Sequence, residues 1–330
     1  MRRMSALSPA PPLSGPAQER ARRARLRLTD LRASRTLTVL AWIGAAVIVI
    51  TMGSVGFQVI RGASEAIGRF GPLFAFHAAW IPNLNKLGGL SYLYGSLVTS
   101  LVSLVFATIL GVSIGIFLAL LAPRPVANVI GPLVEMLAAI PTVVLGLIGI
   151  IVISPFSAHT LEPLFHGVLG WTGLFGAPAQ NGASLFTASL VLTIMVLPII
   201  SALSRDIFRT VPQELRDGAE ALGATRWEMI RGVVLPTTVS GITGACVLGF
   251  ARAMGEAIAV TQVVGNASLI HANLFFPGTT LASAIANQFE SPQNSLTESA
   301  LYYLALILLI VGVLTSIVSR RIISRGAKLT

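Results

Sequence analysis

Six apolar runs decide most of what this chain can become. They fall at about 37–60, 93–122, 126–153, 184–203, 237–264 and 300–318, and each reaches the roughly 18 residues that suggest a membrane-crossing helix. In hydrocarbon a backbone N–H or C=O has no water to turn to, so a spanning segment satisfies its polar groups within its own helix. The expected fold is all-α, a polytopic membrane protein with six transmembrane helices and both termini on one side.

Composition agrees, with 54% hydrophobic and only 11% charged residues. The net charge of +10 raises the question of nucleic acid. That footprint requires Lys and Arg gathered on one folded surface, whereas here they lie at the tails and between the apolar runs, so lipid is the expected environment and nucleic acid is not. Residues 1–36 hold nine arginines in a Pro-rich and then basic stretch, expected to be a mobile cytoplasmic tail drawn to anionic headgroups. The run at 37–60 exceeds the roughly 15-residue core of a secretory signal and is taken as the first span. Nineteen of the 23 Lys and Arg then fall on one side, which the positive-inside rule makes cytoplasmic; Arg61, Arg69 and Lys86 fall on the other, and Arg252 within a span.

No metal or cofactor is expected. Cys246 is the only cysteine, and His77, His159, His166 and His271 are scattered over the outer loops without the carboxylate or cysteine spacing of a metal site. Nor is the chain expected to be an enzyme: a P-loop needs Gly-Lys followed by Ser or Thr, and both lysines, Lys86 and Lys328, precede leucine.

The longest polar interruption in the second half is RDIFRTVPQELRDGAEALGATRWEMIRGVVLP, residues 205–236. It reads as two short amphipathic helices and a turn. Thr210 is placed to cap the first with Gln213 three residues on, Pro212 sits in its opening turn, and Gly223 stands where a C-terminal glycine would end it. Thr225 and Glu228 have capping-box spacing for a second helix, which Pro236 is expected to stop. Leu215, Ala219 and Leu222 would share one face of the first helix; Trp227, Ile230 and Val234 would share one of the second.

Within the spans, Ala107, Gly111, Gly115 and Ala119 recur every four residues, a small-residue face that lets helix backbones approach closely. Pro141 should kink or break the third helix. In the outer loops, Gly167, Gly170, Gly173 and Gly176 read as a flexible segment within 154–183, while FFPGTTLASAIANQF, residues 275–289, reads as a turn and a short re-entrant or surface helix. The costly residues are Glu135, Arg252 and Glu256, since an ionisable group inside a span usually faces the bundle interior or a wet path and has a partner. Arg252 and Glu256 are four apart, on one face of a continuous helix, where they can pair. The pair suits either a structural, self-neutralising role or an anion pathway, because a guanidinium stays charged and offers two parallel donors to oxyanions.

Asp217-Gly218-Ala219, then Gly223, Val233 and Leu235-Pro236, resembles the EAA motif of bacterial ABC importer permeases, in which Glu-Ala-Ala is followed at fixed spacing by Gly, Ile and Leu-Pro. Ala219, Gly223, Leu235 and Pro236 match, while Asp217, Gly218 and Val233 replace Glu, Ala and Ile. GFARAMGEAIAVTQVVGN, EMLAAIPTVVLGLIG and FPGTTLASAIANQF narrow the likeness to PstC-type permeases of phosphate-specific ABC importers, over roughly 37–330. The resemblance implies a type I importer architecture in the bacterial cytoplasmic membrane, with Asp217, Gly218, Ala219, Gly223, Leu235 and Pro236 coupling to an ATPase and Arg252 with Glu256 on the substrate path. It implies a PstA-like second permease, two copies of a cytoplasmic ATP-binding subunit, an external phosphate-binding protein, and inorganic phosphate as cargo. A molybdate or sulfate permease is the competing expectation, and an ion-coupled secondary transporter a more distant one.

Overall fold

Helix is the only regular structure among the described residues, 16–179 and 181–326, of this computed structural model; the strand-like contacts are single bridges, Ile81 to Lys86 and Gly265 to Gly278. The chain divides into two units, residues 1–58 and 59–330. The first consists, in its described part, of most of helix α1 (Pro16–Gly62). Residues 16–36, expected as a mobile tail, are helical and run without a break into the apolar segment Thr36–Gly62; residues 1–15 lie outside the described residues.

The second unit contains α2 (Ser64–Phe70), α3 (Leu90–Leu121), α4 (Arg124–Leu137), α5 (Thr142–Thr172), α6 (Leu185–Arg209), α7 (Gln213–Ala221), α8 (Arg226–Met254), α9 (Ile258–Val263), α10 (Leu281–Gln288) and α11 (Ser295–Gly326). The apolar helices α3, α5, α6, α8 and α11, with the apolar part of α1, are the six among the described residues that are long and apolar enough to cross a membrane. The centre is α6, whose Val191, Leu192, Val196 and Ile200 are buried with Ala253, Val260 and Val263. The small-residue face of α3 meets it: a Cβ on Gly111 would come 2.9 Å from Ile200 Cγ2, and one on Gly115 would come 2.8 Å from Ser204 Cβ. Close backbone approach, not apolarity alone, therefore holds α3 to α6, as expected where the surrounding lipid is as apolar as leucine. Buried hydroxyls on these helices turn back on their own carbonyls, as in Thr193 to Ser189 O at 2.7 Å and Ser189 to Leu185 O at 2.7 Å.

The break expected at Pro141 forms, but two of the apolar runs are divided differently from the six-span expectation, for related reasons. The apolar run 126–153 is not one span: α4 ends at Leu137, residues 138–140 make tight three-residue turns, and Pro141 starts the spanning helix α5. A proline disfavours helical backbone in the residue before it, so the break falls just before the PTVVLG stretch. Beyond, α5 continues to Thr172, through residues 154–172 that the sequence reading left in a loop. In the second case α8 does not stop at Pro236 but passes through it, starting at Arg226 and ending at Met254; Gly255, Glu256 and Ala257 are not helical, and α9 follows. The expected single helix over 237–264 is thus two.

Wide helical turns explain how the prolines are absorbed. Ser154 N–H bonds Gly149 O, Glu162 N–H bonds Ser157 O and Leu235 N–H bonds Ile230 O, each five residues back, and Pro155, Pro163 and Pro236 each follow by one residue. A proline in a regular helix collides with the carbonyl four residues before it and supplies no donor. Here that carbonyl lies inside the widened turn, where the ladder has already shifted. Apolarity and proline position alone leave this shift invisible, so the helices run longer than the sequence reading allowed.

At the opposite end of the bundle from the 205–236 hairpin, the segment 264–280 is tied to the start of α6. Phe186 N–H bonds Leu274 O at 2.9 Å, Gly278 N–H bonds Val264 O at 2.9 Å, and Ser184 caps α6 by accepting from Thr187 N–H. The helix expected within 275–289 is α10, capped by a reciprocal Thr280–Ser283 pair and buried over Leu281 to Ala284.

Candidate functional site

Two places collect the residues that sequence reasoning singled out. The first is the hairpin between α6 and α8. Thr210 does not cap α7: it ends α6, its hydroxyl donating to Ile207 O at 2.7 Å, and Pro212 stands at the N-cap without a side-chain bond. The end of α7 is as expected. Gly223 has φ +86°, with Gly223 N–H on Glu220 O (2.9 Å) and Ala224 N–H on Ala219 O (3.1 Å), the paired bonds of a left-handed helix stop. Nothing lies within 4 Å of a Cβ built on Gly223, so backbone conformation and not space demands the glycine. The capping box also forms: Thr225 Oγ1 accepts from Glu228 N–H, and Thr225 N–H donates to Glu228 Oε2 at 2.8 Å.

This hairpin has a buried side and an exposed one. Met229, Ile230 and Val234 are buried with Phe208 and Val211, and Ala219, Leu235 and the end of α3 pack against them. Opposite, Asp217 and Gly218 are exposed, Leu222 is 91% exposed and Trp227 63%. The expected common faces therefore divide: Ala219 turns in while Leu222 points out, and Ile230 and Val234 turn in while Trp227 points out. An apolar anchor on α3 and α6 beneath an exposed face carrying Asp217, Leu222 and Trp227 is a lever that can pass a push from a docked partner to two spans.

The second place is the break after α8. Arg252 Nη2 lies 3.3 Å from Glu256 Oε2, so the expected pair forms, although across the helix end and not along a continuous helix. The carboxylate side chain is 5% exposed and the guanidinium 46%. Glu256 is held from the other side by Ala259 N–H, 3.4 Å from Oε1, at the start of α9. The non-helical step at Gly255 to Ala257 thus brings a buried carboxylate to a half-exposed arginine, with Nη2 the one guanidinium nitrogen in contact with it. Such an arrangement can bind an oxyanion without leaving a buried charge unpaired when the anion departs.

Glu135, grouped with these two as intramembrane, stands elsewhere. It lies on α4, between spans, and binds Arg205 Nη1 at 2.6 Å; Asp206 holds the same guanidinium at 3.0 Å. The sequence reading missed the most buried carboxylate, Glu162 on α5, fully buried and bonded by Ala179 N–H (2.8 Å) and the hydroxyls of Ser157 and Ser184 (both 3.2 Å). Its one signal was a Glu near serines in an apolar context, hidden because the third span was ended at 153. Among the described residues no three metal-binding side chains come together. His77 Nδ1 bonds Leu73 O, His166 Nδ1 bonds Phe175 O, and His271 stacks on Phe276.

A family model described as the binding-protein-dependent transport system inner membrane component matches residues 111–328. The phosphate transport system permease protein PstC of Mesorhizobium japonicum is 39% identical over 285 residues, 85% of this chain and 87% of that one. The protein of the same name from Haemophilus influenzae is 37% identical over 284 residues, 85% and 90%. Among solved structures, a bacterial ABC transporter involved in the import of the acidic polysaccharide alginate matches with TM-score 0.57 at 16% identity, covering 90% of this chain and 99% of that one, a likeness of fold.

Proposed function

Because the chain belongs to the binding-protein-dependent transport system inner membrane component family, a multi-pass membrane permease of ABC importers, we propose that its cargo is inorganic phosphate. The observation that carries this reading is the extended similarity to permeases named for phosphate transport, which spans most of both chains. The half-exposed Arg252 above a buried Glu256 supports it, since an oxyanion entering a low-dielectric path needs a compensating cation that can also release it.

In this reading the chain forms the path with a PstA-like second permease. An external phosphate-binding protein delivers the anion, and two copies of a cytoplasmic ATP-binding subunit supply the energy, one of them docking on Asp217, Gly218, Leu222 and Trp227. Both termini are cytoplasmic, with the hairpin, and residues 63–89 face outward. The anchored side of the hairpin, with Ala219, Leu235 and the turn at Gly223, passes the motion of the ATPase to α3 and α6. Pro236 lets α8 carry the same motion through its widened turn toward Arg252.

The test is ATP-dependent uptake by the chain reconstituted with a second permease, an ATPase and a binding protein. Labelled phosphate is expected to accumulate while sulfate and molybdate do not. Equal accumulation of sulfate would move the reading to a general oxyanion permease, and accumulation without ATP but with an ion gradient would remove the ATPase from it.

A further inference from the structure

The face opposite the hairpin carries a site that transport leaves unexplained. A cavity of about 440 Å³ opens in the segment between the first two spans, lined by Phe70, Leu73, Phe74 and Leu87 and edged by Arg69 and Lys86. The topology leaves three Lys or Arg on this face, and two of them border this one cavity. Neither forms an ion pair among the described residues, and Arg69 lies over the ring of Phe70, 6.0 Å from its centroid.

The walls are built, not loose. Phe74 is fully buried and stacks on Tyr303 of α11 at 4.5 Å, and the Tyr303 hydroxyl donates to Gly71 O at 3.0 Å. Lys86 is presented by a turn closed by Ile81 N–H to Lys86 O at 2.8 Å, with Asn85 left-handed at φ +52°. Leu90 N–H bonds His77 O at 3.0 Å, which pins the far wall to the start of α3. Leu73 and Phe76 nevertheless stay 61% and 71% exposed.

We propose that this cavity binds an anionic glycerophospholipid, its phosphate between Arg69 and Lys86 and its acyl chains along Phe70 and Leu73. Position supports a lipid: Arg69 follows the first span by seven residues and Lys86 precedes the second by four, so both sit where headgroups lie. Trp80 stands nearby, its Nε1–H on Gln288 Oε1 at 3.0 Å, in the manner of aromatics at a membrane interface. Chemistry supports it too. The phosphate group is common to lipid headgroup and free anion, but a free phosphate would gain nothing from an apolar floor, whereas a lipid uses floor and cations together.

The experiment is native mass spectrometry of the assembled complex in detergent, titrated with phosphatidylglycerol or with phosphatidylcholine of the same chains. Phosphatidylglycerol should be retained preferentially, Arg69→Gln and Lys86→Gln should each weaken retention about fivefold, and the double variant about 25-fold, the factor expected for one basic residue near an anionic surface, compounded. Leu73→Ser should also weaken it, and Arg61→Gln, a charge on the same face away from the cavity, should not. Three results would each overturn the proposal: displacement of the lipid by inorganic phosphate, equal retention of phosphatidylcholine, or an Arg61→Gln loss matching that of Arg69→Gln. Unchanged retention in the double variant would do so as well.

Discussion

Two arginine–glutamate pairs among the described residues are opposites in burial. In the pair at the end of α6, the Arg205 side chain is 15% exposed and its partner Glu135 is 47% exposed; at the end of α8, Arg252 is 46% exposed and Glu256 is 5%. Arg205 is further held by Asp206 and passes close enough to α4 that a Cβ on Gly131 would lie 2.9 Å from its Nη1. With Nε, Nη1 and Nη2 each engaged by a carboxylate, it ties α4 to α6 and is already neutralised by two opposite charges. Arg252 meets one carboxylate, through Nη2, and its side chain stays half-exposed. The two pairs therefore differ in which member the fold buries, and in the proposed reading that difference, not the pairing itself, separates a strut from a binding group.

The strongest way to break this contrast is Arg252→Gln, expected to lower phosphate uptake at least tenfold while the complex still assembles, since a charge-assisted hydrogen bond to an anion contributes roughly 1.5–3 kcal/mol. Adding Glu256→Gln to it removes both charges and should not restore uptake. Recovery to the parent rate in the double variant would make the second pair a packing device like the first.

A change in the hairpin sharpens the same comparison by disturbing coupling while leaving both arginines untouched. Gly223→Val forces a branched side chain into left-handed backbone, at a cost of about 1–2 kcal/mol in a region with open space around it. Transport per ATP hydrolysed should fall severalfold, while Gly223→Asn, which tolerates that conformation, should stay near the parent value. Equal losses in both variants would show that the position matters for something other than its backbone angle.

The smallest effect is expected from Arg205→Gln. Its partners are substantially exposed and can turn to water, so thermal unfolding of the complex should reveal a loss of about 1 kcal/mol, with uptake within about twofold of the parent. An uptake defect as deep as that of Arg252→Gln would abolish the distinction between the two pairs.

Much of the hairpin was readable from spacing. Thr225 and Glu228 stand three apart and do form a capping box, and Gly223 takes the positive φ assigned to it, because caps and stops are settled by groups within a few residues of each other. The same locality explains the failures. Thr210 had cap spacing too, but its hydroxyl was taken by Ile207 O of the preceding helix. Glu135 was assigned to the membrane interior because its neighbours are apolar, and its partner Arg205 lies 70 positions further on, beyond any periodicity. Glu162 lies beyond the apolar run 126–153, so hydropathy alone gives no sign that it is buried within a helix.

By itself, the sequence determined that the chain crosses a membrane as helices, and it marked the polar hairpin between two of them, since transfer of apolar surface, backbone satisfaction in lipid and helix capping depend on composition and near neighbours. Only the tertiary structure decided that prolines 155, 163 and 236 are absorbed in widened turns, that α8 stops before Glu256, and that Arg205 is held by two carboxylates while the half-exposed Arg252 meets one. Those outcomes depend on which helix lies against which, and so on how close the glycines of α3 let α6 approach and which carboxylate that packing removes from water.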